Sequence, residues 1–217
     1  MSTRKRKEKE KEQRRELILD AAQRLFFSKQ YDEITIEEIA KKAQLAKGTL
    51  YLYFKSKEAL YSAVALRGAR VMNAMFKNAA SQKQIGLEKA YAIGKAYYEF
   101  YKRHPQYFRV LVEAETLPVA TSDDINVMEL IKLSCENLEI VLNAVVKGIK
   151  DGSIKPDLDP MQTSIFLVQS TRAMILLPPG FEMFLRQANA DKDATVKFAL
   201  QALLCSLENT QTKKIEG

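Results

Sequence analysis

Hydrophobic positions recur at steps of three and four along nearly the whole chain. The first clear run predicts a helix that ends near Ser28, with one apolar face formed by Leu17, Ile18, Ala21, Ala22, Leu25 and Phe26. This period is typical of an amphipathic α-helix. β-branched residues are scattered and never alternate with polar ones over a useful length, so no strand is predicted. The expected fold class is all-α.

Two short helices are predicted between residues 36 and 54. Thr35, followed three positions later by Glu38, forms a capping box in which the hydroxyl accepts from a first-turn amide and the carboxylate reaches back. The first helix is barely two turns long and stops at the tripeptide QLA, and the second begins at Lys47. Ser56 then caps a longer helix with Glu58 in its first turn. This order is the helix-turn-helix signature.

Packed helices are predicted throughout the rest of the chain. Pro105 ends one helix and opens the next, because proline fits the first turn of a helix but disfavours helical geometry before it. A loop is expected at Leu117–Asp124 and a long helix at Ile125–Ile149. The segment from Met161 onward predicts two more long helices with a proline-broken link, PPG, and the stretch FEMFLRQANA between them.

The positive charge of the chain is confined to its first third. Residues 1–70 hold 17 Lys and Arg against 10 Asp and Glu, a net charge of +7, whereas the remainder holds 17 of each. A basic part joined to a neutral part indicates that only the first meets a polyanion, either nucleic acid or an anionic membrane. The charged stretch within residues 1–12 either extends the first helix or forms a disordered basic tail.

Composition argues against several other classes of protein. With 217 residues the chain suits one large or two small domains, and its apolar runs are far too short to span a bilayer. No apolar segment of a secretory signal follows the charged N-terminus, so a cytoplasmic protein is expected. Cys135 and Cys205 lack metal-site spacing and are predicted to be small buried hydrophobes. His104 is the single histidine, and no nucleophile elbow, phosphate loop or metal motif occurs, so no catalytic residue, metal or cofactor is expected.

The segment AKGTLYLYFKSKEAL mixes aromatic rings with lysines on a short helix. When Leu50 faces the core, Phe54 shares that side, since residues four apart lie on one helix face. The outward surface then contains a cation, a bare backbone, a small hydroxyl and an apolar tip: Lys47, Gly48, Thr49 and Leu52. Such a surface approaches base edges closely in a DNA major groove. The groups predicted to reach phosphates are Tyr51, Tyr53 and Lys57.

The ordered elements ILDAAQRLF, TIEEIAKKA, KGTLYLYF and SKEAL closely resemble the N-terminal domain of TetR/AcrR-family transcriptional regulators, over roughly residues 17–64. The resemblance implies a homodimer whose second helix-turn-helix helix enters the major groove. It also implies C-terminal helices that form a ligand cavity and a dimer face, and a fourth helix that moves when ligand binds. By motif position, Lys47, Gly48 and Thr49 would approach bases, and Thr35 would join the phosphate contacts. Three positions depart from the family pattern: glycine is frequent where Gln30 and Gln44 stand, and serine where Ala46 stands.

The expected domains are therefore a helix-turn-helix DNA-binding domain at residues 1–60 and a helical ligand-binding and dimerisation domain at residues 61–217. Large, adaptable side chains among polar ones suggest lining for a pocket: Tyr98, Tyr101, Phe108, Met128, Phe166, Gln169 and Met174. Plain core packing is the alternative for each of them. Arg172, another polar residue there, would contact a ligand, pair with Glu113 or lie on the dimer surface. Two helices, residues 160–177 and 191–208, carry apolar stripes that form either a dimer face or the core of one chain.

These observations favour a sequence-specific DNA-binding regulator, a repressor released from its operator by a small molecule. Its expected partners are double-stranded DNA with a palindromic operator, a second copy of the chain and a largely apolar effector, with no membrane. Two alternatives stay open: a non-specific binder of nucleic acid or membrane surfaces that uses the basic N-terminal region, and a helical enzyme without a recognisable motif.

Overall fold

The computed structural model describes residues 3–115 and 124–210, and within them the chain is a series of ten α-helices. No β-strand occurs in these residues, which confirms the predicted all-α fold. The helices are α1 (Thr3–Ser28), α2 (Ile36–Lys42), α3 (Lys47–Tyr51), α4 (Lys57–Ser81), α5 (Gly86–Arg103), α6 (Pro105–Ala114), α7 (Ile125–Lys150), α8 (Pro160–Ile175), α9 (Pro179–Gln187) and α10 (Lys192–Leu207).

Side-chain caps fix several of the helix starts. The Ser56 hydroxyl accepts from the amide of Ala59 at 3.2 Å, as the sequence predicted for the start of α4. Asp159 and Asp191 cap α8 and α10 by accepting from the third amide of each helix. Each such cap satisfies an amide that has no partner inside its own helix and contributes about 1 kcal/mol.

The helices group into two compact units, of which the first contains the chain up to Arg70 together with His104–Lys132. Its core joins α1, α2, α3, α4 and α6, with the fully buried side chains Ile18, Phe26, Ile39, Leu50, Leu60, Val64 and Val110. The rings of Phe26 and Tyr61 meet edge to face at 4.8 Å, an arrangement that aromatic quadrupoles favour. This core holds the two short helices, which are too short to be stable by themselves.

The second unit comprises Val71–Arg103 and the chain from Leu133 onward. Its core joins α4, α5, α7, α8 and α10 through Phe76, Ile93, Val141, Ala144, Val145, Leu167 and Leu207. Gly86, at the start of α5, lies so close to α7 that an added Cβ would stand 2.0 Å from the amide nitrogen of Gly148. The Asp151 carboxylate accepts from the Gly86 amide at 2.8 Å. These contacts lock the start of α5 against the end of α7.

The structure differs from the sequence predictions at several points. The segment that begins at Pro179 forms its own helix, α9, so three helices occupy the chain from Pro160 onward where two long ones and a link were expected. Cys135 and Cys205 are both exposed, whereas burial was expected from the usual behaviour of the residue type. The expected loop at Leu117–Asp124 lies outside the described residues except for Asp124. Helix α4 contains the domain boundary expected at residues 60 and 61, and that boundary stays a prediction.

The N-terminal charged stretch extends the first helix. Helix α1 begins at Thr3, so from that residue onward the helical alternative is the one adopted. Ion pairs one turn apart support it, such as Arg6 with Glu10 at 2.9 Å. Exposed pairs of this kind contribute only a few tenths of a kcal/mol each.

Candidate nucleic-acid interface

The start of α2 is fixed by the predicted capping box. The Thr35 hydroxyl accepts from the Glu38 amide at 3.2 Å, and the Glu38 carboxylate accepts from the Thr35 amide at 3.0 Å. Thr35 itself is exposed at this helix end. The cap thus places a hydroxyl-bearing residue at the surface where phosphate contact was expected.

The turn between α2 and α3 is a Schellman motif with a glutamine at its left-handed position. Gln44 has φ = 57°, and the amides of Gln44 and Leu45 donate to the carbonyls of Lys41 and Ala40 at 3.1 and 2.9 Å. Glycine is the usual residue here, because a side chain costs on the order of 1 kcal/mol in this conformation. Gln30, the other departure from the family pattern, has φ = −72° and is unstrained.

Helix α3 is held down by two buried side chains. Leu50 and Phe54 are fully buried in the core of the first unit, as the sequence predicted. The guanidinium of Arg15 on α1 lies 5.2 Å from the centre of the Phe54 ring. Ala46, before the helix, makes no side-chain cap, so the first amides of α3 lack that stabilisation.

The opposite side of α3 faces outward. Lys47 and Gly48 are exposed, Thr49 is half-buried, and Leu52 is 79% exposed. A Cβ added to Gly48 would have no atom of the described residues within 4 Å, and the φ of Gly48 is not in the left-handed region. Neither packing nor backbone conformation therefore accounts for glycine at this helical position.

The Lys47 ammonium is paired with a neighbouring carboxylate. It donates to Glu37 on α2 and lies 5.9 Å from the centre of the Tyr51 ring. This hydrogen bond lowers the pKa of Glu37 and raises that of Lys47. Both groups are exposed, so the pair adds little to stability, but it places a cation beside the outward face of α3.

Besides Thr35, the three other residues predicted to reach phosphates lie in different environments. Tyr51 is exposed, and Tyr53 is half-buried against the core of the first unit. The Lys57 ammonium differs from the prediction, because it turns inward and donates to the carbonyls of Tyr31 and Ile34, both at 3.0 Å. It also lies 3.9 Å from the centre of the Tyr31 ring. The structure thus gives Lys57 a role in closing the connection between α1 and α2.

Two partners around α3 were missed in the sequence. Glu37 and Lys47 are ten positions apart, and Arg15 and Phe54 are nearly forty apart, so no helical spacing relates them. Arg15 and Leu52 also line one cleft together with Glu8, Lys11, Glu12 and Tyr53. The contact between Glu37 and Lys47 could have been inferred from the predicted helix-turn-helix, because that motif brings α2 next to α3.

The candidate pocket residues are divided between the two units and differ in exposure. In the first unit Phe108 is buried and Met128 is 59% exposed. In the second unit Tyr98 is buried, with its hydroxyl bonded to Asp193, and stacks on half-buried Tyr101 at 6.0 Å. Met174 is half-buried, whereas Phe166 and Gln169 are exposed on α8. Exposure of Met128, Phe166 and Gln169 is at odds with a pocket enclosed by one chain. Glu113 accepts hydrogen bonds from Tyr61 and Arg109 in the first unit.

Helices α8 and α10 each leave one stripe uncovered while burying another. On α8, Leu167 and Ile175 are buried, but Met161, Ile165 and Phe166 are exposed. On α10, Val196 and Leu200 are buried, whereas Phe198 is 74% exposed. The two helices therefore contribute to the core of the chain and still present an apolar surface.

The structure adds two observations about other classes of site. Within residues 3–115 and 124–210, no cluster of three or more His, Cys, Asp or Glu side chains is arranged to hold a metal ion. In the same residues, no helix combines the length and apolarity needed to cross a lipid bilayer.

A capped helix, a Schellman turn and a second short helix with an open outer face define a helix-turn-helix DNA-binding protein. Residues 18–64 match the model of the bacterial regulatory proteins of the tetR family. The HTH-type transcriptional regulator YhgD of Bacillus subtilis (strain 168) is 31% identical over 163 residues, which cover 75% of this chain and 82% of YhgD. The chain therefore belongs to the TetR family and is a DNA-binding transcriptional regulator. Members of this family are transcriptional regulators, and the enzyme and non-specific alternatives are not favoured.

Two further similarities extend over most of the chain. The HTH-type transcriptional repressor DhaR of Mycobacterium sp. (strain GP1) is 22% identical over 205 residues, covering 90% of this chain and 94% of DhaR. The structure of the transcriptional regulator FadR from Bacillus subtilis in complex with stearoyl-CoA has a TM-score of 0.64 and 20% identity, covering 87% of this chain and 96% of FadR. The second similarity shows that the fold is shared over most of the chain.

Proposed function

We propose that the protein is a dimeric repressor that reads a palindromic operator through the outer face of α3 and leaves it when a largely apolar molecule binds. Residues 1–60 would supply the DNA contacts, and residues 61–217 would supply dimerisation and the effector site. The observation that carries the proposal is Gly48. Glycine in a helix costs about 1 kcal/mol relative to alanine, and nothing within the first unit requires it. A glycine at this position would let a DNA base edge approach the helix backbone closely, which would explain why no side chain is present.

The residues around Gly48 fit roles in reading and positioning. Lys47 offers a cation that can exchange the Glu37 carboxylate for a base or phosphate, and Thr49 offers a hydroxyl and a methyl group. The exposed hydroxyls of Thr35 and Tyr51 suit phosphate contacts, which set the register without reading sequence. Half-buried Tyr53 would still contact a phosphate. Lys57 would assist DNA binding only indirectly, by stabilising the fold of the first unit.

The exposed stripes of α8 and α10 support a symmetric dimer. Two such helices from each chain form a four-helix bundle across a two-fold axis. A two-fold protein presents two α3 helices and so favours a palindromic site, with half-sites about 34–36 Å apart, one turn of DNA. The names of DhaR, a repressor, and of the FadR complex with stearoyl-CoA support repression and an apolar effector for this chain.

A selection of genomic fragments bound by the purified protein tests the proposal. The expected result is a shared palindromic sequence, bound with an affinity that falls roughly 10³-fold or more between 50 and 200 mM salt. Fragments without a common palindrome, or a flat response to salt, would contradict it. Repeating the selection with added cell extract tests whether a small molecule releases the DNA.

A further inference from the structure

Two buried asparagines face each other inside the second unit. Asn73 on α4 and Asn137 on α7 are each only 6% exposed. The Asn73 amide nitrogen donates to the Asn137 side-chain oxygen at 2.9 Å. The Asn137 amide nitrogen is buried and has no hydrogen-bond partner among the described residues.

Several neighbours of this amide pair along the two helices are apolar core side chains. Met72 and Phe76 flank Asn73 on α4, and Ile140 and Val141 follow Asn137 on α7; all four belong to the core of the second unit or pack against it. An unsatisfied donor in such surroundings destabilises the folded chain, whereas two apolar side chains of the same shape would not. Stability alone therefore does not account for the amide pair.

From the orphaned donor we infer that the amide pair is the polar anchor of the effector site, with Asn137 donating a hydrogen bond to an oxygen of the bound molecule. This inference rests on the proposed effector-controlled function. A molecule with an acceptor oxygen would satisfy the amide, and an apolar body would suit the neighbouring core side chains. The anchor is a single hydrogen bond within a mainly apolar site.

The charges near the amide pair restrict the chemistry of that oxygen. Lys77, one turn beyond Asn73, forms an ion pair at 3.3 Å with Glu136, the neighbour of Asn137. These two charges compensate each other, so a buried carboxylate would gain no counter-charge from them. The effector oxygen is therefore a neutral acceptor, such as the carbonyl oxygen of a ketone, ester or amide.

Asn73 lies on a helix that contributes residues to both units. Helix α4 is continuous from Lys57 to Ser81 and supplies residues to both units. A ligand that engages Asn137 also changes the balance of the Asn73–Asn137 hydrogen bond.

The first test asks whether the amide pair is needed for folding. In urea unfolding, the variant Asn73→Leu with Asn137→Leu is expected to keep or raise the midpoint, because both partners become apolar. Asn126→Leu is the control: Asn126 is also buried but accepts from Arg15 and donates to Asp124, so its loss should lower the midpoint. A lower midpoint for the double variant would show that the pair is structural and would overturn the inference.

The second test uses three probes of similar shape: acetophenone, α-methylstyrene, which lacks the oxygen, and benzoate, which carries a charge. Binding followed by NMR should show acetophenone held roughly three- to tenfold more tightly than α-methylstyrene by the wild-type chain, the effect of one net hydrogen bond. Benzoate should bind most weakly. The preference for acetophenone should disappear in the double variant.

A third measurement needs no variant. The side-chain ¹⁵NH₂ signals of Asn137 should shift with acetophenone and stay in place with α-methylstyrene. Signals that respond equally to both probes, or a wild-type chain that binds neither, would overturn the inference. Failure of the proposed function would be seen separately, as a wild-type chain that retains no DNA even without any probe.

Discussion

Residues in and around the proposed DNA-binding surface fall into two groups. Some stabilise the shape of the surface, and others are exposed and available to contact DNA. Lys57 and Gln44 belong to the first group, although the sequence suggested a phosphate contact for one and a missing glycine for the other. Lys57 has two carbonyl partners inside the first unit, and Gln44 holds the left-handed residue of the turn. Both assignments concern stability and can be tested without DNA.

Replacing Gln44 with glycine is expected to raise the free energy of unfolding by about 1 kcal/mol, since glycine is unstrained at positive φ. Gln30→Gly is the matched control, because Gln30 has negative φ and glycine there only adds flexibility to the unfolded chain. Urea unfolding should therefore give changes of opposite sign. Equal changes for the two variants would contradict the strain assigned to Gln44.

Lys57→Ala is expected to lower the free energy of unfolding by about 2 kcal/mol, because two carbonyls lose a charged donor. Lys55→Ala provides the control at an exposed neighbouring lysine and should change stability by less than about 0.5 kcal/mol. Thermal or urea unfolding measures both. If Lys57→Ala weakened DNA binding with unchanged stability, the inward role of Lys57 would be wrong.

At the scale of elements, the sequence predicted helices well wherever a local signal marks their ends. Thr35 with Glu38, Ser56 and Pro105 are local signals, and the helices they begin were predicted. Helix α9 was not separated from its neighbours although Pro179 stands at its start; its C-terminal turn has Asn189, not glycine, in the left-handed conformation at φ = 50°, so no glycine marks its end. The pairing of Lys47 with Glu37 arises only when α2 packs against α3, so no pattern along the chain reports it.

The carboxylate of Asp193 ties the start of α10 to α5. Its lowered pKa affects the stability of the protein in acid. Hydrogen bonds from Lys197, Lys102 and Tyr98 lower the pKa of Asp193 to about 2. Because the folded-state pKa lies below the ordinary value of 3.8, the stabilisation is full above pH 3.8 and is lost as the pH falls towards 2.

The difference in melting temperature between the wild-type chain and Asp193→Asn should therefore be largest near pH 5 and shrink as the pH approaches 2. Asp157→Asn, at an exposed acid, is the control. Thermal melts at several pH values measure the differences. A difference for Asp193→Asn that stayed constant across this range would contradict the assigned ion pairs.

At the scale of the whole molecule, the charge distribution and the open face of α3 agree on one function. The net charge of +7 lies in residues 1–70, where the helix-turn-helix is found, and the remainder is neutral. The sequence predicted this division and the family. It did not predict the exposure of Phe166 and Gln169, because an apolar stripe on a helix looks the same whether it meets its own core or a second chain.

The claim that α3 reads DNA is tested most directly by the DNA affinity of Gly48→Ala. Gly180 in α9 is the matched control, because an added Cβ there also has no atom of the described residues within 4 Å. Both variants should be at least as stable as the wild-type chain. Gly48→Ala should bind the selected operator about tenfold or more weakly, the effect of a misfit of roughly 1.4 kcal/mol, and Gly180→Ala should bind it unchanged. Wild-type affinity in Gly48→Ala would contradict the claim.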